Sequence, residues 1–264
     1  MIVESAVVPR TSAAPCADRL ILGEHVLGVA DGATGKPWDS GPDGAALAEA
    51  VAGHLAATAA GTGARVATDS ATALVRSLLA AAGAGPGEGS AVTFCVLHRP
   101  RREIWRVGEG RVLLDGAPVP PRPTGERVVA EARALVLRRH LADGVPEATL
   151  LAEDPGRAAV QELLRALGGL RNRPVARCGY GAVDGQDVPD DFVEVIPVPA
   201  EVREITLATD GYPEAAPTLA EAERLLAERL ARDPLMIEDP PETKGLRPGA
   251  DSFDDRAYLR LSPV

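Results

Sequence analysis

The chain has 264 residues, 45% hydrophobic and 25% charged, a balance that suits one large folded core and does not fit an intrinsically disordered chain. With 38 acidic against 28 basic residues the formal net charge is −10. Generic attraction to nucleic acid or to an anionic membrane is therefore disfavoured, and cations are the more natural partners.

The opening "MIVESAVVPR" lacks a basic segment followed by an apolar one, and no run approaches the roughly 18 apolar residues that span a bilayer. Cys16, Cys95 and Cys178 are widely spaced with no C-x-x-C pair. Neither a disulfide framework nor a zinc site is expected, and a reducing cytoplasm fits.

Residues 1–31 contain three strand-like pieces, "IVESAVV", "DRLILG" and "HVLGVAD", separated by Pro, Gly and charged residues. "DGAALAEAVAGHLAATAA" (43–60) and "ATDSATALVRSLLAAA" (67–82) carry apolar residues at helical spacing, with Asp near each start, and predict two helices. The Gly-rich "GAGPGEGS" (83–90) ends the second helix, and the β-branched run "SAVTFCVLH" after it reads as a central strand.

"EIWRV" and "RVLLDG" flank "GEG", a hairpin signal, and the basic "HRPRREIWR" (98–106) reads as the solvated end of a strand. The Pro-rich "PVPPRPTG" (118–125) is short and runs into helical sequence, so it reads as a loop, and a single domain over 1–264 is expected. Helices are predicted over 126–141, 156–167 and 218–232, with strands in "CGYGAVDG", "FVEVIPV", "EITLATD" and "RAYLRL". With hairpin-like joins and few βαβ units, this order predicts an α+β fold of antiparallel sheets with helices on their outer faces.

Acids recur at strand ends: Asp18 in "CADRLIL", Asp31 in "LGVADG", Asp210 in "ITLATDG", and Asp254 with Asp255 in "FDDRAYLRL". A lone Asp-Gly is usually a turn, and those at 115, 143 and 184 read as turns. Carboxylates brought together from four strands would repel one another and raise their pKa values unless a cation neutralises them. Oxygen-only ligation suits Mg²⁺ or Mn²⁺, and a pair of such ions can activate a water against a phosphate ester. His25, His54 and His98 lie at strand edges or in an apolar helix and offer no metal motif.

The ordered series "CADRLILGEHVLGVADGATG", "GSAVTFCVLH", "EIWRVGEGRVLLDG", "ITLATDGYPE" and "FDDRAYLRL" resembles the metal-dependent type 2C (PPM) protein phosphatase family across nearly the whole chain. The resemblance implies a four-layer αββα sandwich of two antiparallel β-sheets flanked by helices, with two Mg²⁺ or Mn²⁺ ions at one end. By position it implies that Asp31 bridges the ions and the Gly32 carbonyl binds one. Asp210 and Asp254 would complete the centre, Asp18 would act through coordinated water, and Asp255 would support the ligands from behind.

The motifs also depart from the family. Ala33 and Thr34 replace residues of its D-G-x-G-G block, Glu109 stands where an aspartate often serves an additional metal, and the acid preceding Asp18 in many relatives is missing. Arg10 is the upstream candidate for binding substrate phosphate and Arg19 the nearer alternative. Lys244, in the Pro- and Gly-rich segment before Asp254, is placed to meet an anionic substrate.

The resemblance implies hydrolysis of phosphoserine or phosphothreonine by a metal-bridging water. Two other readings stand beside it: a phosphatase of a small phosphorylated metabolite, and a catalytically silent relative that binds a partner. Neither a nucleic-acid nor a membrane partner is expected, and the sequence carries no indication of oligomeric state.

Overall fold

A computed structural model describes residues 1–33 and 39–262; Thr34, one of the two substituted motif positions, lies outside them. Three strands open the chain, β1 (Ile2–Val8), β2 (Asp18–Leu22) and β3 (Val26–Gly32), followed by helices α1 (Gly44–Ala56) and α2 (Ala64–Ala81). Next come β4 (Val92–His98), β5 (Glu103–Val107), β6 (Arg111–Leu114) and the short β7 (Ala117–Pro118). Four helices follow, α3 (Glu126–Ala142), α4 (Glu147–Glu153), α5 (Pro155–Ala159) and α6 (Gln161–Gly168). The chain then forms β8 (Glu194–Pro197), β9 (Ile205–Ala208), α7 (Leu219–Arg232) and β10 (Arg256–Leu261).

The strands form two five-stranded antiparallel sheets, ordered β1-β10-β9-β6-β7 and β2-β3-β4-β5-β8. Period-two alternation assigns the faces. In β3 and β4, Leu27, Val29, Cys95 and Leu97 pack with Ile205, Leu207, Ala257 and Leu259 of the other sheet. The intervening Val26, Ala30, Phe94 and Val96 pack instead against Leu47, Val51, Leu55 and Val75 of α1 and α2. Burial on both faces explains why these strands read as unbroken apolar runs. On the far side, Tyr258 and Ala208 pack with Leu226 and Ala222 of α7, completing the four layers expected.

Five local expectations are corrected. The "GEG" stretch is not a hairpin turn: β5 pairs with β4 and β8 whereas β6 pairs with β9 and β7, so residues 108–110 carry the chain from one sheet to the other. Gly108 takes φ +98 with its α-carbon against Thr93, where an added Cβ would lie 2.4 Å from the Thr93 side chain; a close crossover, not a two-residue turn, demands the glycine.

Arg106, expected on a solvated strand end, is 1% exposed. Its guanidinium pairs with Glu194 at 2.5 Å and donates to the carbonyls of Gly110, Val119 and Pro120. It thereby ties the Pro-rich loop to the sheet. His98, placed at a strand edge from sequence, is likewise buried and stacks on Trp105 with ring centroids 4.6 Å apart.

The stretch 178–185 is not a strand and makes only isolated bridges, Val92 with Val183 and Arg171 with Tyr180. Asp184 organises it instead, accepting from Asn172, Arg171 and Gln186 while fully buried. The helix predicted over 156–167 is interrupted at Val160, whose φ −100 and ψ 13 leave the helical region between α5 and α6; α4 ahead of them is set off from α5 by Asp154, which adopts a left-handed conformation and caps the Arg157 N–H before Pro155.

Candidate active site

The inter-sheet layer ends in carboxylates. Continuing the alternation of Leu27 and Val29 by two residues brings Asp31 onto the inner face of β3, and Asp18 is its direct partner across the β2–β3 ladder. In β9 the series Ile205, Leu207 continues to Thr209, and in β10 the series Leu259, Ala257 runs back to Asp255. Apolar packing that excludes water from the sandwich thus delivers polar groups from four strands to one end of it.

Asp18 is 2% exposed and accepts from Thr209 Oγ1 at 2.5 Å. The same hydroxyl accepts from the Ala257 backbone N–H at 2.8 Å. Asp255 faces the other way: its carboxylate accepts from the backbone N–H groups of Arg10, at 2.8 Å, and Ala17, at 3.0 Å, pinning both ends of the loop between β1 and β2. Gly32 lies where α1 begins, and an added Cβ there would stand 2.2 Å from the Gly44 carbonyl oxygen. The site therefore abuts the start of that helix without room for a side chain.

Electrostatics record the crowding. Burial pushes Asp31 well above the usual carboxylate range, and Asp18, Asp210 and Asp254 raise it further, Asp210 also through a side-chain hydrogen bond. Burial likewise raises Asp18, opposed by the Thr209 hydrogen bond and reinforced by Asp254, Asp210 and Asp255. Asp254 is raised by burial and pulled back by Lys244, with which it forms an ion pair. Burial acts against the charge on Lys244, yet Asp254, then Asp210 and Asp31, hold its ammonium above its usual range.

Asp31, Asp210, Asp254 and Lys244 border a cavity of about 190 Å³. Its lining combines Asp31, Asp210 and Asp254 with the cations Lys244, Arg157 and Arg171 and with the apolar Leu164, Leu167 and Phe253 beside Tyr180. Further along lie Glu109, whose carboxylate accepts from Thr124 Oγ1 at 2.5 Å, together with Glu126 and Glu242. Burial pushes Glu109 and Glu242 each up to about 8, Glu126 adding to the first and Asp210 to the second.

The donor set suits a hard divalent cation: buried carboxylates, oxygen ligands only, and a repulsion that such an ion would relieve. Among the described residues, no three His, Cys, Asp or Glu side chains already stand around one common point, so the carboxylates would have to close upon an ion.

Asp18, Asp31, Asp210 and Asp254 are thus brought together, with Ala33 and Glu109 on the same cavity. Lys244 stands on its rim, paired with Asp254. Arg10 lies in an adjoining recess, and Arg19 turns away to Glu49 of α1 at 2.5 Å. Thr209, Arg157, Arg171, Glu126 and Glu242 were not foreseen. Only Thr209 had a local signal, standing directly before Asp210 at the end of an apolar strand.

Two antiparallel sheets between helical layers are a fold this chain shares with solved bacterial serine/threonine phosphatases. A serine/threonine phosphatase from Mycobacterium tuberculosis, PstP/Ppp, superposes with a TM-score of 0.50 over 98% of this chain and 97% of its own, at 15% identity. The PstP catalytic domain in complex with two manganese ions matches over 97% of this chain and 96% of its own, with TM-score 0.50 and 15% identity. A serine/threonine phosphatase from Staphylococcus aureus matches over 100% and 95%, with TM-score 0.50 and 10% identity. No protein-family model and no curated protein sequence matches the chain.

Proposed function

We propose that this protein is a metal-dependent phosphomonoesterase that hydrolyses phosphoserine or phosphothreonine. The observation that carries the reading is the convergence of Asp18, Asp31, Asp210 and Asp254 beside a cavity whose lining also holds Lys244 and Arg157. Two Mg²⁺ or Mn²⁺ ions would be held by Asp31, the Gly32 carbonyl, Asp210 and Asp254, with Asp18 and, further out, Glu109 in support. When bound, such ions neutralise clustered carboxylates, make water nucleophilic near neutral pH and draw charge from phosphoryl oxygens.

The chain's own groups do the rest. Thr209 fixes the rotamer of Asp18 through its hydroxyl, and Asp255 holds the β1–β2 loop in place. Lys244 and Arg157 supply positive charge for the substrate phosphate, with Arg10 beyond them in the adjoining recess. Leu164, Leu167 and Phe253 offer an apolar wall to whatever carries the phosphate and keep bulk water from that side.

Asp210→Asn is the direct test. It is expected to abolish Mn²⁺-dependent hydrolysis of a chromogenic phosphate ester while the circular dichroism spectrum is retained; full activity in that variant overturns the assignment. Release of phosphate from phosphopeptides, compared with a panel of small phosphorylated metabolites, identifies the substrate class.

One observation favours a second reading, a silent phosphatase-like binding protein: Lys244 already neutralises Asp254. Calorimetric titration with Mn²⁺ separates the two, because a silent scaffold need not take up two ions. The three cysteines are free thiols and, among the described residues, no helix is long and apolar enough to cross a membrane. Both support a cytoplasmic location.

A further inference from the structure

Beside the carboxylate cavity lies a recess of about 250 Å³ lined by Arg10, Arg157, Lys244, Arg247 and Ser252, with no acidic residue among its lining groups. Arg157, Lys244 and Phe253 belong to both cavities and form the wall between them. In a chain of net charge −10, three arginines around one hollow whose lining holds no carboxylate, beside a lysine already matched by Asp254, are a local reversal of sign that focuses anions.

The recess is also unsatisfied. Among the described residues the guanidinium groups of Arg10 and Arg247 make no hydrogen bond or ion pair, whereas Arg157 spends one donor on the Thr243 carbonyl at 2.7 Å. Burial holds Arg157 below its usual range; Asp154 and Glu126 oppose that, and repulsion from Arg133 and Arg247 adds to it. Ser252, 1% exposed, has a buried hydroxyl with no hydrogen-bond partner. A buried hydroxyl left unpaired costs about 1–3 kcal/mol, and an acceptor entering the recess would remove that cost. Guanidinium forks together with a hydroxyl donor match the tetrahedral oxygens of a phosphate group.

We infer that this recess is a subsite for a phosphate group other than the one hydrolysed in the neighbouring cavity. That assignment of the neighbouring cavity rests on the phosphatase reading; occupancy of the recess does not. The phosphate has two possible sources, a second phosphoryl group on a doubly phosphorylated substrate or free inorganic phosphate, and the two bind through the same groups.

The test has a binding arm and a kinetic arm. Inorganic phosphate is titrated calorimetrically into the metal-stripped full-length protein, its Arg247→Ala and Ser252→Ala variants, and Asp210→Asn. Arg247 is exposed and Ser252→Ala removes one unpaired oxygen, so both variants should fold, which circular dichroism checks. Phosphate is expected to bind the parent protein and Asp210→Asn alike, and about tenfold more weakly to Arg247→Ala. No binding, or equal binding to parent and Arg247→Ala, overturns the inference whatever the enzyme activity.

In the kinetic arm, kcat/KM is compared for doubly and singly phosphorylated peptides. A preference for the double phosphate that Arg247→Ala removes assigns the recess to the substrate. Phosphate inhibition that Arg247→Ala relieves, without such a preference, assigns it to the free ion. Absence of hydrolysis with phosphate binding intact defeats the phosphatase reading and leaves the anion site standing.

Discussion

Lys244 forms an ion pair with Asp254, so one carboxylate of the candidate metal centre is already matched by a cation belonging to the chain itself. The lysine also feels Asp210 and Asp31. It therefore stands in electrostatic competition with any divalent ion those aspartates would hold, and under the proposed function it would offer positive charge to a substrate phosphate.

Lys244→Met separates the two effects. Removing the ammonium frees Asp254 and takes a repelling charge away from the ions, so calorimetry is expected to show Mn²⁺ binding several-fold more tightly. Hydrolysis should move the opposite way, with kcat/KM lower at saturating metal because the phosphate has lost a partner. Weaker Mn²⁺ binding in the variant would mean that the lysine supports the centre instead of competing with it.

Thr209 is the group that orients Asp18, through a 2.5 Å hydrogen bond, while its oxygen also accepts from the Ala257 N–H. Thr209→Val preserves shape but leaves a buried carboxyl and a buried N–H without that partner, at a cost of about 1–3 kcal/mol. Asp18 would then sample other rotamers. Loss of such a supporting hydrogen bond typically lowers metal affinity by about 10–100-fold, and titration of the variant with Mn²⁺ reads this directly. Unchanged affinity would show that Asp18 takes no part in holding metal.

The clustered acids make the metal-free protein sensitive to pH in an unusual direction. Burial raises Asp18 and Asp31, and it places Glu109 and Glu242 at about 8, whereas in an unfolded chain such groups titrate near about 4. Between about pH 4 and pH 8 the folded state therefore binds more protons than the unfolded one. The resulting stability is fully present below pH ~4 and is lost as pH rises through the folded-state values. Thermal unfolding of the metal-free protein should show Tm falling by several degrees from pH 5 to pH 8, with Mn²⁺ restoring it at pH 8. Glu242→Gln should flatten the dependence, and a metal-free Tm that rises over this interval contradicts the argument.

Much of this architecture is legible from local pattern. The burial of β3, β4 and β10 on both faces appears in the sequence as apolar runs, and Asp18, Asp31 and Asp210 stand out because each lies at or just beyond the end of such a run. What is not legible is long-range. The hairpin expected at "GEG" fails because strand-turn-strand composition does not say whether the second strand pairs with the first; here the chain crosses to the other sheet. Arg106 looks solvent-facing until Glu194 and the carbonyls of the Pro-rich loop arrive from 13 or more positions away, joining the nearby Gly110. The same holds for Arg157 and Glu242, which reach the cavity from a helix and a loop whose placement depends on tertiary contacts.

Those tertiary contacts converge on Arg133, a buried residue of α3. Its Nη2 and Nε bind the Asp154 carboxylate at 3.0 and 3.2 Å, and its Nη1 donates to the carbonyls of Leu235, at 2.9 Å, and Glu242, at 3.1 Å. One guanidinium thus joins the α4–α5 junction, which presents Arg157, to the segment that presents Glu242 and Lys244. Alanine here would strand a partly buried aspartate at a cost of about 3–5 kcal/mol and confuse unfolding with function, so Arg133→Lys is the informative variant. Lysine keeps the charge beside Asp154 but lacks the planar fork needed to reach both carbonyls. The fold is expected to persist while amide exchange over residues 235–245 quickens and kcat/KM falls. Unchanged exchange in that segment would show that Arg133 does not hold the cation-bearing rim of the cavity in place.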